Sequence, residues 1–205
     1  MLMMRKIPTF FWEYRGREFP DIDLSAYRLQ VHGDVAKPST FALEELGELF
    51  PVVNIRRRFY CVNGWSLESE WSGYKLADLM RWVEPHPSAK YLRTTSLGGY
   101  EDTTALETLL HGDALLVTHM NGDPLPVARG KPLRLMVFHI YQFKGVKALA
   151  RLEVVHDYRP GTWAKVGYSD ATIQPYPHLA IDKNAEQMPE EALISPSTER
   201  EKNDN

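Results

Sequence analysis

Arg56-Arg-Arg-Phe-Tyr-Cys61-Val-Asn-Gly-Trp65-Ser66, followed by Trp71-Ser-Gly73-Tyr-Lys-Leu76, is the stretch on which the reading of this chain turns. Upstream of it, Val52 to Tyr60 reads as a strand that delivers Cys61 at its end. Downstream, Leu76, Leu79, Met80 and Val83 recur at helical spacing, and Pro85 stops the helix they predict. Cys61 is the only cysteine in the 205 residues, which excludes an intramolecular disulfide framework, a CxxC redox pair and a multi-cysteine zinc site. A thiolate is the form that ligates metal or attacks an electrophile, and the neighbouring arginines lower a thiol pKa if the fold turns them toward it. Strand alternation allows this for only some of Arg56, Arg57 and Arg58. On composition alone, a lone cysteine at a strand end is a small buried hydrophobe.

Working outward, Tyr27, Leu29 and Val31 alternate with polar residues and predict a strand from Tyr27 to His32, closed by Gly33-Asp34. Ser39 or Thr40 is the expected cap of a short helix carrying Leu43, Leu46, Leu49 and Phe50. Further strands are predicted at Tyr91 to Thr95, Ala114 to His119, Leu133 to Val137 and Ala148 to Val155, with a helix around Thr104 to Leu110. Many short strands with few helices between them give an α+β class with mixed β-sheets and short helices. They argue against a doubly wound parallel sheet, and neither a GxGxxG nor a P-loop pattern is present. Residues 1–24 read as an aromatic arm, 1–181 as one domain and 182–205, with ten charged residues, as a charged C-terminal tail.

A formal net charge of −3 argues against a general nucleic-acid binder. No run approaches the roughly 18 to 20 apolar residues needed for a membrane span. The start, Met1-Leu-Met-Met-Arg-Lys, passes at once into polar and aromatic residues, so no signal peptide is expected and the expected location is cytoplasmic.

Cys61-Val-Asn-Gly-Trp-Ser and Trp71-Ser-Gly-Tyr-Lys-Leu are followed, in order, by His119-Met-Asn-Gly-Asp-Pro-Leu-Pro126, Gly130-Lys-Pro-Leu-Arg134-Leu-Met-Val and Tyr141-Gln-Phe-Lys-Gly145-Val-Lys147. This ordered set resembles the sulfite oxidase family, whose members bind molybdenum through molybdopterin. Ordered motifs across residues 27 to 168 are far more specific than any one of them alone. The length suits the short members of the family, of the periplasmic methionine-sulfoxide reductase type, which lack a haem domain and an immunoglobulin-like dimerisation domain. With no CxxCH for covalent haem, the resemblance implies electron exchange with a separate electron-transfer protein.

The resemblance implies Cys61 as the metal ligand, and Arg134, Arg129 and Gly145-Val146-Lys147 as contacts to the cofactor. Family members commonly carry His or Asn where Arg129 stands, and Ser where Gly145 stands. The chemistry suits the group: arginine clamps phosphate through two donors, lysine and backbone N–H groups complete a cradle, and a thiolate suits a metal already bound by sulfur. Ser96 falls where the family has a cofactor-contacting Thr, and Trp12 and Glu13 fall near its N-terminal contacts. Tyr168, in Trp163-Ala-Lys-Val-Gly-Tyr168, matches a tyrosine beside the metal and is the expected substrate-side proton partner, ranked above His119. Arg57 or Arg58 is expected to attract an anionic substrate. The implied reaction is oxygen-atom transfer to or from a small sulfur-containing substrate. The rival readings are a cofactor-free enzyme with Cys61 as nucleophile beside His119 or His139, and a non-catalytic binding protein on the same fold.

Overall fold

Two five-stranded sheets organise the chain in the computed structural model, which describes residues 22–60, 66–111 and 113–166. The first contains β1 (Leu29–Gly33), β2 (Ser39–Phe41), β5 (Tyr91–Ser96), β6 (Glu101–Ala105) and β10 (Leu149–Val155), in the order β2-β1-β10-β5-β6. The second contains β3 (Val52–Tyr60), β4 (Ser66–Lys75), β7 (Ala114–Met120) and β8 (Asp123–Pro124) in that order, with β9 (Arg134–Val137) also paired to β7. The pairing of β1 with β10 is parallel, whereas every other named pair is antiparallel. The class is therefore α+β with mixed sheets, as the strand-rich pattern predicts.

β7 and β9 carry unbroken apolar runs because both of their faces are covered. Ala114 and Leu116 of β7, with Leu135 and Val137 of β9, join the larger core. Leu115, Val117 and Met136 point the other way, into a second cluster built with Phe59, Trp71, Leu125 and Phe138. Period-two alternation thus feeds two cores from one strand.

The long hairpin of β3 and β4 pairs without a break from Val52 opposite Tyr74 to Tyr60 opposite Ser66. Trp71-Ser-Gly73 serves this sheet. Trp71 is fully buried and its indole N–H donates to the Arg57 carbonyl at 3.0 Å. At Gly73 a Cβ would stand 2.1 Å from the Leu116 carbonyl oxygen, so only glycine lets β4 lie this close to β7.

Three helices, α1 (Leu43–Leu49), α2 (Leu76–Val83) and α3 (Leu106–His111), cover the larger core. α2 buries Leu76, Leu79, Met80 and Val83, the four residues its spacing selects, and ends on Glu84 in the left-handed region, one residue before Pro85. Two sequence expectations are corrected. Ser39 and Thr40 do not cap α1; they pair with Val31 and Gln30 in β2, and the Ala42 N–H before α1 instead donates to the Glu45 carboxylate at 2.6 Å. Thr104 does not open a helix; it belongs to β6, where it pairs with Leu92, and α3 starts at Leu106. In both places strand pairing overrides a local helix signal. The arm before residue 22 and the tail 182–205 lie outside the described residues. Among the described residues, no helix is long and apolar enough to cross a membrane.

Tyr27 ties the start of the first sheet to its centre by donating its hydroxyl to the Leu149 carbonyl. Burial pushes this phenol far above its ordinary value of 10.0, and Tyr74 is raised for the same reason. Above about pH 10 the unfolded chain loses the Tyr27 proton while the folded chain keeps it, so the unfolded state binds fewer protons there. Stability is expected to be unaffected by this group below pH 10 and to fall by about 1.4 kcal/mol per pH unit above it. Urea unfolding at pH 9, 10 and 11 tests this: Tyr27→Phe should flatten the alkaline slope, and an unchanged slope would assign it to other groups.

Candidate functional site

Gly130 is the point on which the predicted cofactor contacts converge. A short 3-10 turn, Val127–Arg129, ends at Gly130, which adopts φ 115° and donates its N–H to the Val127 carbonyl at 3.0 Å. Only glycine takes this conformation without strain. Its missing side chain has a second use, since a Cβ here would lie 3.1 Å from Lys147 Cα and 3.2 Å from Arg134 Cβ. Arg129, Arg134 and Lys147 are therefore gathered about one glycine, although 18 residues separate the first from the last in sequence.

Hydrogen bonds fix this arrangement. Arg134 Nη1 donates to the Arg129 carbonyl at 3.1 Å, and Lys147 Nζ donates to the Ala128 carbonyl at 2.7 Å. The backbone of residues 146–149 runs along 130–135: Leu135 N–H donates to Val146, Ala148 N–H to Gly130 and Leu149 N–H to Leu133. Both arginines are buried, at 8% exposure for Arg129 and 3% for Arg134, whereas Lys147 is half-buried. Bringing so much positive charge into one low-dielectric place is favourable only beside acceptors or an anion.

Gly145 precedes Val146 in the same loop, and a Cβ there would lie 2.4 Å from Gln142 Oε1 and 2.7 Å from the Leu135 carbonyl oxygen. The Gln142 side chain, held by donation from Nε2 to the Val137 carbonyl at 2.7 Å, occupies the space a serine would need. The departure from serine at this position thus has a local steric cause. The Gly145 N–H itself donates to the Gln142 carbonyl at 3.1 Å, so this glycine closes the turn that leads into Val146 and Lys147.

Ser96 is buried at the end of β5, where its hydroxyl accepts the Tyr100 N–H at 2.8 Å. The next residue, Leu97, donates its N–H to the Ala148 carbonyl at 2.7 Å, which brings the β5 end alongside the Lys147 loop. The predicted hydroxyl is close in backbone terms, with its oxygen also engaged in the β5–β6 turn.

The hairpin meets the cation group through Phe59: the Arg134 guanidinium lies 5.5 Å from the centroid of that ring. Cys61 follows Phe59 by two residues, a reach of at most about 7 Å of chain. Cys61 itself lies outside the described residues, as do Trp12, Glu13 and Tyr168.

Arg57 and Arg58, either of which is expected to attract an anion, stand with Arg56 in ion pairs. Arg56 and Arg58 meet Glu68 at 2.9 and 3.7 Å, and Arg57 meets Asp113 at 3.0 Å. The hydrogen bond from Arg56, with the charges of Arg56 and Arg58, holds the Glu68 carboxyl below its ordinary value. Three cations thus share two carboxylates, Glu68 and Asp113, which lowers the positive charge of this strand and leaves an excess of one.

The two histidines of the nucleophile reading are engaged with groups of their own. His119 pairs with Ser72 on β4, roughly 20 Å of strand from Ser66 at the hairpin end, and its Nδ1 contacts Thr118 Oγ1 at 2.9 Å. His139 uses Nε2 on the Thr108 carbonyl of α3 at 2.8 Å.

One buried pair escaped the sequence reading. Lys144 Nζ lies 2.8 Å from Asp102 Oδ1, and both side chains are essentially inaccessible. The Tyr-Gln-Phe-Lys run gives no period or spacing signal for burial of Lys144, and Asp102 lies on the strand β6 that the sequence reading did not contain.

The sequence matches the family described as the oxidoreductase molybdopterin binding domain over residues 17–163. It is 31% identical, over 152 residues, to the protein-methionine-sulfoxide reductase catalytic subunit MsrP of Ralstonia nicotianae, a match covering 67% of this chain and 46% of that protein. Among solved structures it is similar to the sulfane dehydrogenase SoxCD from Paracoccus pantotrophus, with a TM-score of 0.62 and 22% identity over 67% of this chain and 40% of that one. The chain spans less than half the length of either relative, and the second likeness speaks for the fold alone.

Proposed function

From the premise that this chain belongs to the oxidoreductase molybdopterin-binding domain family, we propose that it is the catalytic domain of a molybdenum enzyme transferring an oxygen atom to or from a small sulfur-containing substrate, with electrons exchanged with a separate carrier protein. The observation that carries this reading is the meeting of Arg129, Arg134 and Lys147 at Gly130, in contact through Phe59 with the strand that leads to Cys61. The donor set suits molybdopterin: buried guanidinium groups and an ammonium for its phosphate, backbone N–H groups for its polar ring, and a thiolate for the metal.

In this reading Arg129, Arg134 and the Gly145-Val146-Lys147 loop bind and orient the cofactor. Ser96 contributes a hydroxyl, Trp12 and Glu13 supply the N-terminal contacts to the cofactor, and Cys61 ligates the metal. Tyr168 holds a proton for the substrate oxygen. When bound, the molybdenum cofactor supplies oxygen-atom transfer coupled to a two-electron change at the metal. The ion pairs of Arg56, Arg57 and Arg58 with Glu68 and Asp113 leave that strand little excess charge with which to select anionic sulfite, and an uncharged sulfoxide needs none. The Ralstonia relative, a methionine-sulfoxide reductase subunit by name, supports the same direction. Reduction of a sulfoxide then takes up two electrons and two protons and yields a thioether and water.

The test is the metal and pterin content of protein made in a host that synthesises molybdopterin, with turnover assayed on methionine sulfoxide with a reduced dye and on sulfite with an oxidised one. Near-stoichiometric molybdenum, with a Mo(V) resonance altered or lost in Cys61→Ser, is the expected result. Well-folded wild type devoid of molybdenum and pterin would overturn the reading and leave a binding protein or a cysteine enzyme. Faster turnover of sulfite than of sulfoxide would reverse the assigned direction.

A further inference from the structure

Two short stretches meet on Glu101, Asp102 and Thr103 of β6. From the cofactor loop, Lys144 Nζ donates to Asp102 Oδ1 at 2.8 Å and to the Thr103 carbonyl at 3.0 Å. Beside them, the Tyr100 hydroxyl donates to the Phe143 carbonyl at 2.5 Å. From the other side, Gly161 lies directly on Asp102: a Cβ there would stand 2.8 Å from Asp102 Cα and 3.2 Å from its carboxyl carbon. Thr162 N–H donates to the Glu101 carbonyl at 2.7 Å, the Glu101 N–H donates to Thr162 Oγ1 at 3.0 Å, and Lys165 pairs with Glu101 at 3.2 Å.

A fully buried ion pair is weak support for a fold, because apolar side chains of similar volume generally hold the same space equally well or better. What the pair supplies is direction. An ammonium donating to a carboxylate and to a carbonyl on the next residue of the same strand fixes Lys144 against β6 in three dimensions, where an apolar side chain would slide. Gly145, the first residue of the cradle, follows Lys144 immediately.

We propose that Asp102 and Lys144 form a positioning pair that sets the Gly145–Lys147 cradle against β6, and that the segment Gly161–Lys165 takes its register from the same strand. The inference rests on the reading that residues 145–147 hold the cofactor. Neither side chain touches the cofactor; both act through the backbone they fix. Loss of the pair therefore loosens the cradle without unfolding the sheets.

The variant that tests this is the double replacement Asp102→Leu with Lys144→Met, which removes both charges of the pair together. Three quantities are read against wild type: molybdenum and pterin content, the melting temperature of cofactor-free protein, and amide hydrogen exchange along cofactor-free protein. The expected result is a cofactor affinity lowered about 10-fold or more, the size of effect seen when groups behind a metal site are removed. It comes with faster exchange confined to residues 142–147 and 161–165, and a melting temperature close to wild type. Full cofactor content with unchanged exchange at residues 142–147 overturns the proposal, and so does exchange that rises evenly along the whole chain. If the double variant does not fold, Asp102→Asn, which keeps an acceptor for Lys144, is measured by the same exchange experiment with the same two outcomes. Wild type that never acquires molybdopterin defeats the functional reading instead, and the exchange pattern of cofactor-free protein still decides the role of the pair in setting the loop.

Discussion

Trp71→Ala is expected to destabilise the domain by about 3–5 kcal/mol, a large part of the roughly 5–15 kcal/mol that holds a domain of this size together. Trp71 is fully buried in the smaller core, where its ring centre lies 5.8 Å from that of Phe59 and 6.2 Å from that of Phe138. That core has few other large members, so neighbours have little with which to fill the cavity. The Arg57 carbonyl also loses the indole donor that joins the two arms of the hairpin. Urea denaturation of cofactor-free protein measures the loss, and Trp71→Phe should recover part of it. A loss below about 1 kcal/mol would mean that the cluster collapses onto the space and that its packing is not specific. Because Phe59 bridges Trp71 and Arg134, the same variant should also weaken the hold on the cofactor.

Arg134→Ala should lower affinity for the cofactor by about 2–4 kcal/mol, or roughly 30- to 1000-fold, from the loss of charge-assisted hydrogen bonds in a buried place. Arg134 is 3% exposed, lies over the Phe59 ring and donates to the Arg129 carbonyl. Removing it deprives an anion of a charge and at the same time frees the Arg129 backbone that it braces. Arg134→Lys keeps the charge and loses the planar set of donors, so its effect should fall between wild type and alanine. Pterin retained after exhaustive dialysis, quantified by fluorescence of its oxidised form, gives the comparison. Alanine protein that keeps its full complement of pterin would remove Arg134 from the cofactor site.

The elements with strong periodicity were legible from sequence. α2 falls where Leu76, Leu79, Met80 and Val83 place it, and β3 runs from Val52 to Tyr60 as read. What escaped was structure created by partners distant in sequence. β2 and β6 are short, and their Ser, Thr and acidic residues carry local signals for caps and turns; they become strands because β1 and β5 offer edges to pair with. The cation group was legible only through motif order, since nothing in the spacing of Arg129, Arg134 and Lys147 reveals that Gly130 brings them together. Lys144 illustrates the limit. A lysine beside a phenylalanine reads as a surface residue until the fold supplies Asp102, 42 residues away. The neutralisation of Arg57 by Asp113 escaped for the same reason.

β10 is the last strand described along the chain and the middle strand of its sheet. Until it is in place, β1 with β2 and β5 with β6 are two separate ribbons, each presenting an open edge and each too small to persist alone. A ribosome therefore releases the whole of the chain up to residue 155 before this sheet can close, and until then the second sheet is the one that can already be complete. The cradle residues 145–147 come immediately before β10, so the cradle and the sheet are completed in one event. A chain halted before residue 145 carries Arg129 and Arg134 but neither Lys147 nor the closed sheet behind it, which makes cofactor insertion a step that belongs to the finished fold.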